Sequence, residues 1–280
     1  MDQHKPEKPL VPNGLGVIYV IVSAVYLFIL TAYYNNSNEL FSRAALALAV
    51  CVLFGGFLGL LDDWMSLRWR YKAFLPLFVA LPLSVMRVAL HPGSTSMATY
   101  IFGKIDFGIY FYIILIPLIV TVTTNVVNQL GGLNGLETVC PSIILIGLMA
   151  KSGQGALLYA APLVVYLALA FFNFQGKVFV GNTGTFAIGI SLASYALISN
   201  VEQTLLISIL PYIFNASLIL LNFFLFRTTA KLIFDGNKLH AEHRRSLLTI
   251  IAYYRPMVER KLVTVVAVIF AVFTLIAILV

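Results

Sequence analysis

Charged side chains are what this 280-residue sequence has least of: Asp, Glu, Lys and Arg together make up 10% of it. A soluble domain carries about 25%, so a soluble globular chain is excluded. Cysteine is scarcer, with only two residues. Cys51 and Cys140 both fall inside apolar segments, where they read as packing residues rather than a disulfide or a metal pair. Of the four histidines, His240 and His243 stand three apart in a basic loop, but no further ligands accompany them, so zinc is not expected. The apolar runs do not alternate, which argues against an outer-membrane barrel. Residues 1–280 show no linker and read as one transmembrane domain. The first apolar run, roughly 14–33, is too long for a signal-peptide core and reads as a retained span.

What the sequence has instead is hydrophobic residues, 60% of the chain, in recurring runs near 20 residues. Such runs cross a hydrocarbon core of about 30 Å. With no water there, each segment must satisfy its own backbone, which forces helices. The expected fold is all-α: a polytopic integral membrane helix bundle. Its nine helices are expected at roughly 14–33, 44–61, 73–90, 108–127, 137–151, 155–172, 183–198, 203–226 and 262–280. With nine spans, 14 of the 18 Lys and Arg residues fall on one side and 4 on the other. The positive-inside rule makes the first side, with the N-terminus, cytoplasmic. The net charge of +7 is therefore explained by membrane topology, and nucleic acid is not an expected partner.

Polar chemistry gathers on that same side. The stretch "GLLDDWMSLRWRYK" sets Asp62 and Asp63 at the end of an apolar run, with Arg68, Arg70 and Lys72 close behind. Acids at a helix C-terminus oppose its dipole, and a carboxylate pair at a membrane boundary is costly unless wet or paired. Two carboxylates among cations suit phosphate chemistry: the carboxylates can hold or orient a divalent metal, and the cations neutralise phosphate charge. In "NVVNQLGGLNGLE", Asn125 and Asn128 share one helical face; helix–helix hydrogen bonding is the plain reading. The glycines after them let backbone approach a ligand, and Asn134 between glycines suits an edge-reading hydrogen bond to a base. "GKVFVGNTGTF" opens a helix with Gly-Asn-Thr-Gly, which reads either as a plain N-cap or as a phosphate-binding helix start.

Taken in order, "LDDWMSLRWRYK", "NVVNQLGGLNGLE" and "KVFVGNTG" resemble the polyprenyl-phosphate N-acetylhexosamine-1-phosphate transferases. The wording is most like the eukaryotic and archaeal UDP-N-acetylglucosamine–dolichyl-phosphate N-acetylglucosaminephosphotransferases. "MDQHKPEKPLVP", with Asp2, Lys5, Pro9 and Pro12, and "RPMVERKL" before the last span also resemble that family, so nearly the whole chain is covered. The resemblance implies transfer of a sugar-1-phosphate from a UDP-sugar to a polyprenyl or dolichyl phosphate, with release of UMP. It implies magnesium, with manganese as a substitute, and leaves a homodimer open. It implies a multi-pass protein of the archaeal or bacterial cell membrane, or of the endoplasmic reticulum, with its active site facing the cytoplasm. By position, Asp62 and Asp63 would be the catalytic acid pair and Lys72 a catalytic phosphate contact. Asn128 and Asn182 would be metal ligands. Asn134 and Phe179 would hold the uracil, and Lys5 and Asn125 would also contact substrate.

The chain departs from the family's pattern at four places. Position 182 is Asn where the family has Asp. The family's basic motif after the eighth span is unmatched, since Arg227 is followed by Thr228 and Thr229. That leaves Arg227, Lys231, His240 and Arg244 as the candidates for pyrophosphate and sugar contacts. Asn13 stands where the family commonly has Glu. The family also has one more span ahead of the N-terminal loop. Two other readings stay open: a catalytically silent homologue acting as a scaffold or partner, and a multi-span transporter. A transporter should carry charges or broken helices near mid-membrane.

Overall fold

The computed structural model describes residues 10–99 and 103–280. Lys5, together with Asp2 and Pro9, lies outside the described residues. The described chain is predominantly helical. Helix α1 covers Gly16–Tyr34, α2 Glu39–Met65, α3 Trp69–Phe74, α4 Pro76–Leu90, α5 Ile116–Gln129 and α6 Leu136–Lys151. After these come α7 at Ala160–Phe174, α8 Gly181–Ser199, α9 Glu202–Ser208, α10 Leu210–Phe226, α11 Leu247–Tyr254 and α12 Glu259–Leu279. Two small antiparallel hairpins interrupt them: β1 (Ser96–Thr99) with β2 (Gly103–Asp106), and β3 (Ile233–Phe234) with β4 (Leu239–His240).

Helices stand at all nine expected places, and the all-α membrane bundle is what the chain forms. The count of spans is less simple. Among the described residues, six helical stretches are long and apolar enough to cross a membrane, or seven if α9 and α10 form one span bent by 53°. The two left over are α6, with 16 residues, and α8. Helix α8 is rich in Gly, Ser and Thr, and every residue from Thr183 to Ile198 is buried. It need not be greasy, because it faces protein rather than lipid.

Helix α8 is the axis of the bundle, with α1, α2, α4, α5, α6 and α9 around it. Between helices in lipid, close van der Waals packing rather than water exclusion holds the contact, so small residues set the distance. A Cβ on Gly59 of α2 would stand 2.2 Å from the Asn182 carbonyl oxygen, and one on Gly16 of α1 would stand 2.2 Å from the Gly184 Cα. Both positions bring neighbouring backbones onto the first turn of α8. Cys51 and Cys140 are free and buried, as packing residues should be.

Several breaks fall where proline dictates. Pro76 opens α4 after the short α3, and Pro211 sits at the start of α10, just past the bend at Ile209. Proline lacks the N–H an interior turn needs but suits a first turn.

Candidate active site

The first turn of α8 is built on a carboxylate from another helix. The opening N–H groups of a helix have no partner within it. Here Asp63, in the last turn of α2, supplies one. Its Oδ1 accepts the Asn182 N–H at 2.9 Å, and its Oδ2 accepts the Thr183 N–H at 2.9 Å and the Thr183 hydroxyl at 2.7 Å. A negative charge at this end also matches the helix dipole. The dipole conflict that Asp62-Asp63 raises in α2 is thus offset by a favourable one in α8. Gly181 leads this turn at φ +68°, and a Cβ there would stand 2.8 Å from Asp63 Oδ2 and 3.1 Å from Asn13 Oδ1.

Asp62 faces a different partner. Its side chain is fully buried, while Lys72, 29% exposed, brings Nζ to 2.7 Å from Oδ2. Oδ1 accepts the Leu67 N–H at 3.0 Å, and Ser66 closes α2 in the left-handed region at φ 49°. The turn therefore folds the cations of "LRWRYK" back over the acid pair. Asn125 extends the join: its Nδ2 donates to the Thr121 carbonyl at 2.8 Å and the Ala73 carbonyl at 3.4 Å, tying α5 to the segment that carries Lys72. Asn128, one turn on, accepts the Thr185 hydroxyl at 2.5 Å. The Asn182 side chain is half-buried and makes no hydrogen bond among the described residues.

The two glycine-rich loops meet through Asn173 at the end of α7, which no motif flagged. Its Oδ1 accepts the Gly135 N–H at 2.9 Å and the Thr138 hydroxyl at 3.0 Å, and its Nδ2 donates to the Val178 carbonyl at 2.7 Å. Phe179 follows, half-buried, with its backbone paired to Pro12 and Leu15 of the N-terminal segment at 2.8 and 3.1 Å. Glu137 holds the preceding turn, accepting the Gly132 N–H at 3.0 Å. Asn134 is only 2% exposed, and its backbone N–H and Nδ2 both donate to Glu259 at the head of α12. Asn173 is a buried Asn inside an apolar run, and that cost was the one signal that could have found it.

Asp62, Asp63, Lys72, Asn128 and Asn182 are thus gathered at one end of α8, with Phe179 just before it and Asn134 joined through Asn173. The basic candidates divide. Arg227 and Lys231 line a cleft of about 420 Å³ together with Thr229, His243 and Arg245. The Lys231 N–H donates to His243 Nε2 at 3.1 Å. Burial, then Arg245, holds the His243 imidazole below its usual range. His240 lies in β4. Arg244 is turned elsewhere, donating to the Tyr254 hydroxyl at 2.7 Å and covering the Tyr253 ring.

Among the described residues, no three His, Cys, Asp or Glu side chains are grouped to hold a metal. The donors near α8 are oxygens: Asp63 Oδ1, Asn128 Oδ1 and the unbonded Asn182 amide. Of these, the Asn128 and Asn182 amide oxygens suit a hard cation of the magnesium type, which takes one or two protein groups and completes its shell with water and phosphate.

A family model described as glycosyl transferase family 4 matches residues 45–200. A Sulfolobus acidocaldarius protein, provisionally named UDP-N-acetylglucosamine–dolichyl-phosphate N-acetylglucosaminephosphotransferase, is 34% identical over 76% of this chain and 66% of its own length. The Dictyostelium discoideum protein of that name is 27% identical over 73% of this chain and 59% of its own length. A phospho-N-acetylmuramoyl-pentapeptide-transferase from Prochlorococcus marinus is 28% identical over 82% of this chain and 65% of its own length. The chain therefore spans less than two thirds of the length of these relatives.

Proposed function

The chain belongs to glycosyl transferase family 4, and on that premise we propose that it transfers N-acetylglucosamine-1-phosphate from a UDP-sugar to a membrane polyprenyl or dolichyl phosphate. An oxygen of the lipid phosphate attacks the phosphorus that carries the sugar. The bond from that phosphorus to the bridging oxygen breaks, and UMP leaves with the electron pair. The observation that carries the reading is the meeting of an acid pair, of which Asp62 is buried, a partly exposed lysine and two glycine loops at one helix start in a membrane bundle.

Each residue then has work suited to its surroundings. Lys72 balances the charge of Asp62 until phosphate arrives, and is exposed enough to reach it. A phosphate oxygen is already nucleophilic at neutral pH, so the acid pair has little deprotonation to do. Asp62 holds Lys72, and Asp63 holds the first turn of α8 in place. Asn134 and Phe179 would receive the base. Magnesium, with manganese as a substitute, would when bound neutralise phosphate charge; Asn128 and Asn182 would hold it. The 14-to-4 cation split supports a site that faces the cytoplasm. One observation favours a second reading: an amide rather than an acid at position 182 suits a silent relative.

The test is magnesium-dependent UMP release from a panel of UDP-sugars by the purified chain in liposomes containing a polyprenyl phosphate. Release with one UDP-sugar and none without lipid phosphate supports the transferase. No release with any of them supports the silent relative.

A further inference from the structure

Asn134 is held in an unusual way for a base-reading residue. Glu259 takes both of its donors: Oε1 accepts the backbone N–H at 2.8 Å and Nδ2 at 3.0 Å, and Oε2 accepts Nδ2 again at 3.2 Å. A carboxylate only accepts hydrogen bonds. The asparagine amide must therefore turn its nitrogen towards Glu259, which directs its oxygen the other way. Burial to 2% exposure keeps water from relaxing that choice.

Glu259 is itself anchored. It is the first residue of α12, where the helix dipole favours an anion. Two residues earlier, Met257 is bridged to Leu239, which donates to its carbonyl at 2.8 Å and accepts its N–H at 3.2 Å. Leu239 is fully buried. The head of α12 is thus pinned to the hairpin of the basic loop, and Asn134 is pinned to the head of α12.

We propose that Glu259 is a positioning residue which fixes the orientation of the Asn134 amide, so that its oxygen accepts from a pyrimidine carrying a ring N–H, and that it thereby selects uracil over cytosine. This rests on the nucleotide-sugar reading above. Uracil presents N3–H as a donor. Cytosine presents a bare N3 lone pair, which would face the amide oxygen. A site built around one hydrogen bond rejects the analogue that cannot make it far better than an apolar pocket could.

The experiment measures equilibrium binding of UMP, CMP and N3-methyl-UMP to the full chain in detergent, without catalysis. The wild type should prefer UMP to both analogues. In Glu259→Gln the partner can donate as well as accept, so both orientations of Asn134 become satisfied. UMP affinity should fall by about tenfold, the worth of one hydrogen bond, and the UMP-to-CMP ratio should move towards one. Glu259→Asp, still acceptor-only, should keep most of the ratio. A merely structural role would weaken both nucleotides alike. An unchanged ratio in Glu259→Gln, or a wild type that binds CMP or N3-methyl-UMP as tightly as UMP, overturns the inference and leaves the transferase standing. A wild type that binds none of the three overturns the nucleotide-sugar reading, and this inference with it.

Discussion

The two ends of α8 are both polar and both capped by a charge from another helix, yet they are built for different ends. At the start, Asp63 accepts from Asn182 and Thr183. At the finish, Arg87 of α4 donates to the Leu197 carbonyl at 2.6 Å and to Asn200 Oδ1 at 2.5 Å. An anion at the N-terminus and a cation at the C-terminus both suit the helix dipole. The neighbours differ. Arg87 is fully buried, ion-paired to Glu202 at 3.0 Å and stacked by Phe111, so its charge is answered by protein on each side. Around Asp63 stand the partly exposed lysine paired to Asp62, the Asn182 amide with no hydrogen bond among the described residues, and glycine turns. The finish is closed, and the start is left open for something to arrive.

Breaking the closed end should have the largest effect. Arg87→Ala leaves Glu202 buried without a counter-ion, and removing one partner of a buried pair costs about 3–5 kcal/mol. The variant should melt far below the wild type in detergent, or fail to accumulate as a monodisperse species. The double variant Arg87→Met with Glu202→Leu should recover most of that loss, because no charge is stranded. A single variant as stable as the wild type would mean that this pair does not hold α4 and α9 to α8.

The open end should fail in activity before it fails in folding. Asp63→Asn keeps one acceptor for the start of α8 but loses the charge and one oxygen's acceptance, for about 1–2 kcal/mol of stability. UMP release should fall by about a hundredfold or more, on the scale of losing one charged active-site contact. Melting and turnover measured on the same preparation decide it. If Asp63→Asn melts as early as Arg87→Ala, both ends are scaffolding and the contrast collapses.

Asn182→Asp should sharpen the contrast with a smaller change. A second carboxylate beside Asp63 strengthens attraction for a divalent cation in a partly dehydrated site. The half-saturating magnesium concentration for UMP release should drop several-fold, roughly a kcal/mol of binding. The fold should be almost indifferent, since the helix start takes Asp as readily as Asn. Equal magnesium dependence in both forms would remove position 182 from the ligand set.

How far these ends could be read from sequence follows their chemistry. The start of α8 was legible, because Asp62-Asp63, Lys72 and Gly-Asn-Thr-Gly are polar interruptions of apolar runs. That their loops meet followed from placing them on one side of the membrane. What could not be read was the pairing. Asp63 serves a backbone 119 residues away, and Asn134 is held by Glu259, 125 residues on. No local pattern encodes such contacts. The finish is not legible: no local pattern joins Arg87 of α4 to Glu202 of α9. Composition alone marks six or seven of the nine helices as spans, because α8 is packed on protein throughout and does not need the apolar surface that lipid demands. Asn173 was lost inside an apolar helix, where its side chain organises both glycine loops.

The smallest effect compares one histidine at each end. His91 follows α4 and donates from Nε2 to the Ile198 carbonyl at 2.8 Å, beside Arg87. Burial, then the nearby Arg87 against a carbonyl that favours the charged form, holds its imidazole below the usual range. His243, near the other end, is also depressed, by burial and by Arg245. A depressed folded value means that the unfolded chain binds more protons. Both histidines therefore contribute stability that is present above the unfolded value, about 6.5, and is lost as pH falls through the folded one. The melting midpoint should decline modestly between about pH 7 and 5. His91→Gln should flatten that decline, because Gln keeps a donor for Ile198 but cannot be protonated next to Arg87. His243→Gln should flatten it far less, because His243 lies in the more exposed loop around Lys231. It should instead shift the acid limb of UMP release, since a protonated His243 can no longer accept the Lys231 N–H. Should His243→Gln flatten the melt and His91→Gln leave it untouched, the closed end would be the one nearer Lys231, and the assignment of the two ends would have to be exchanged.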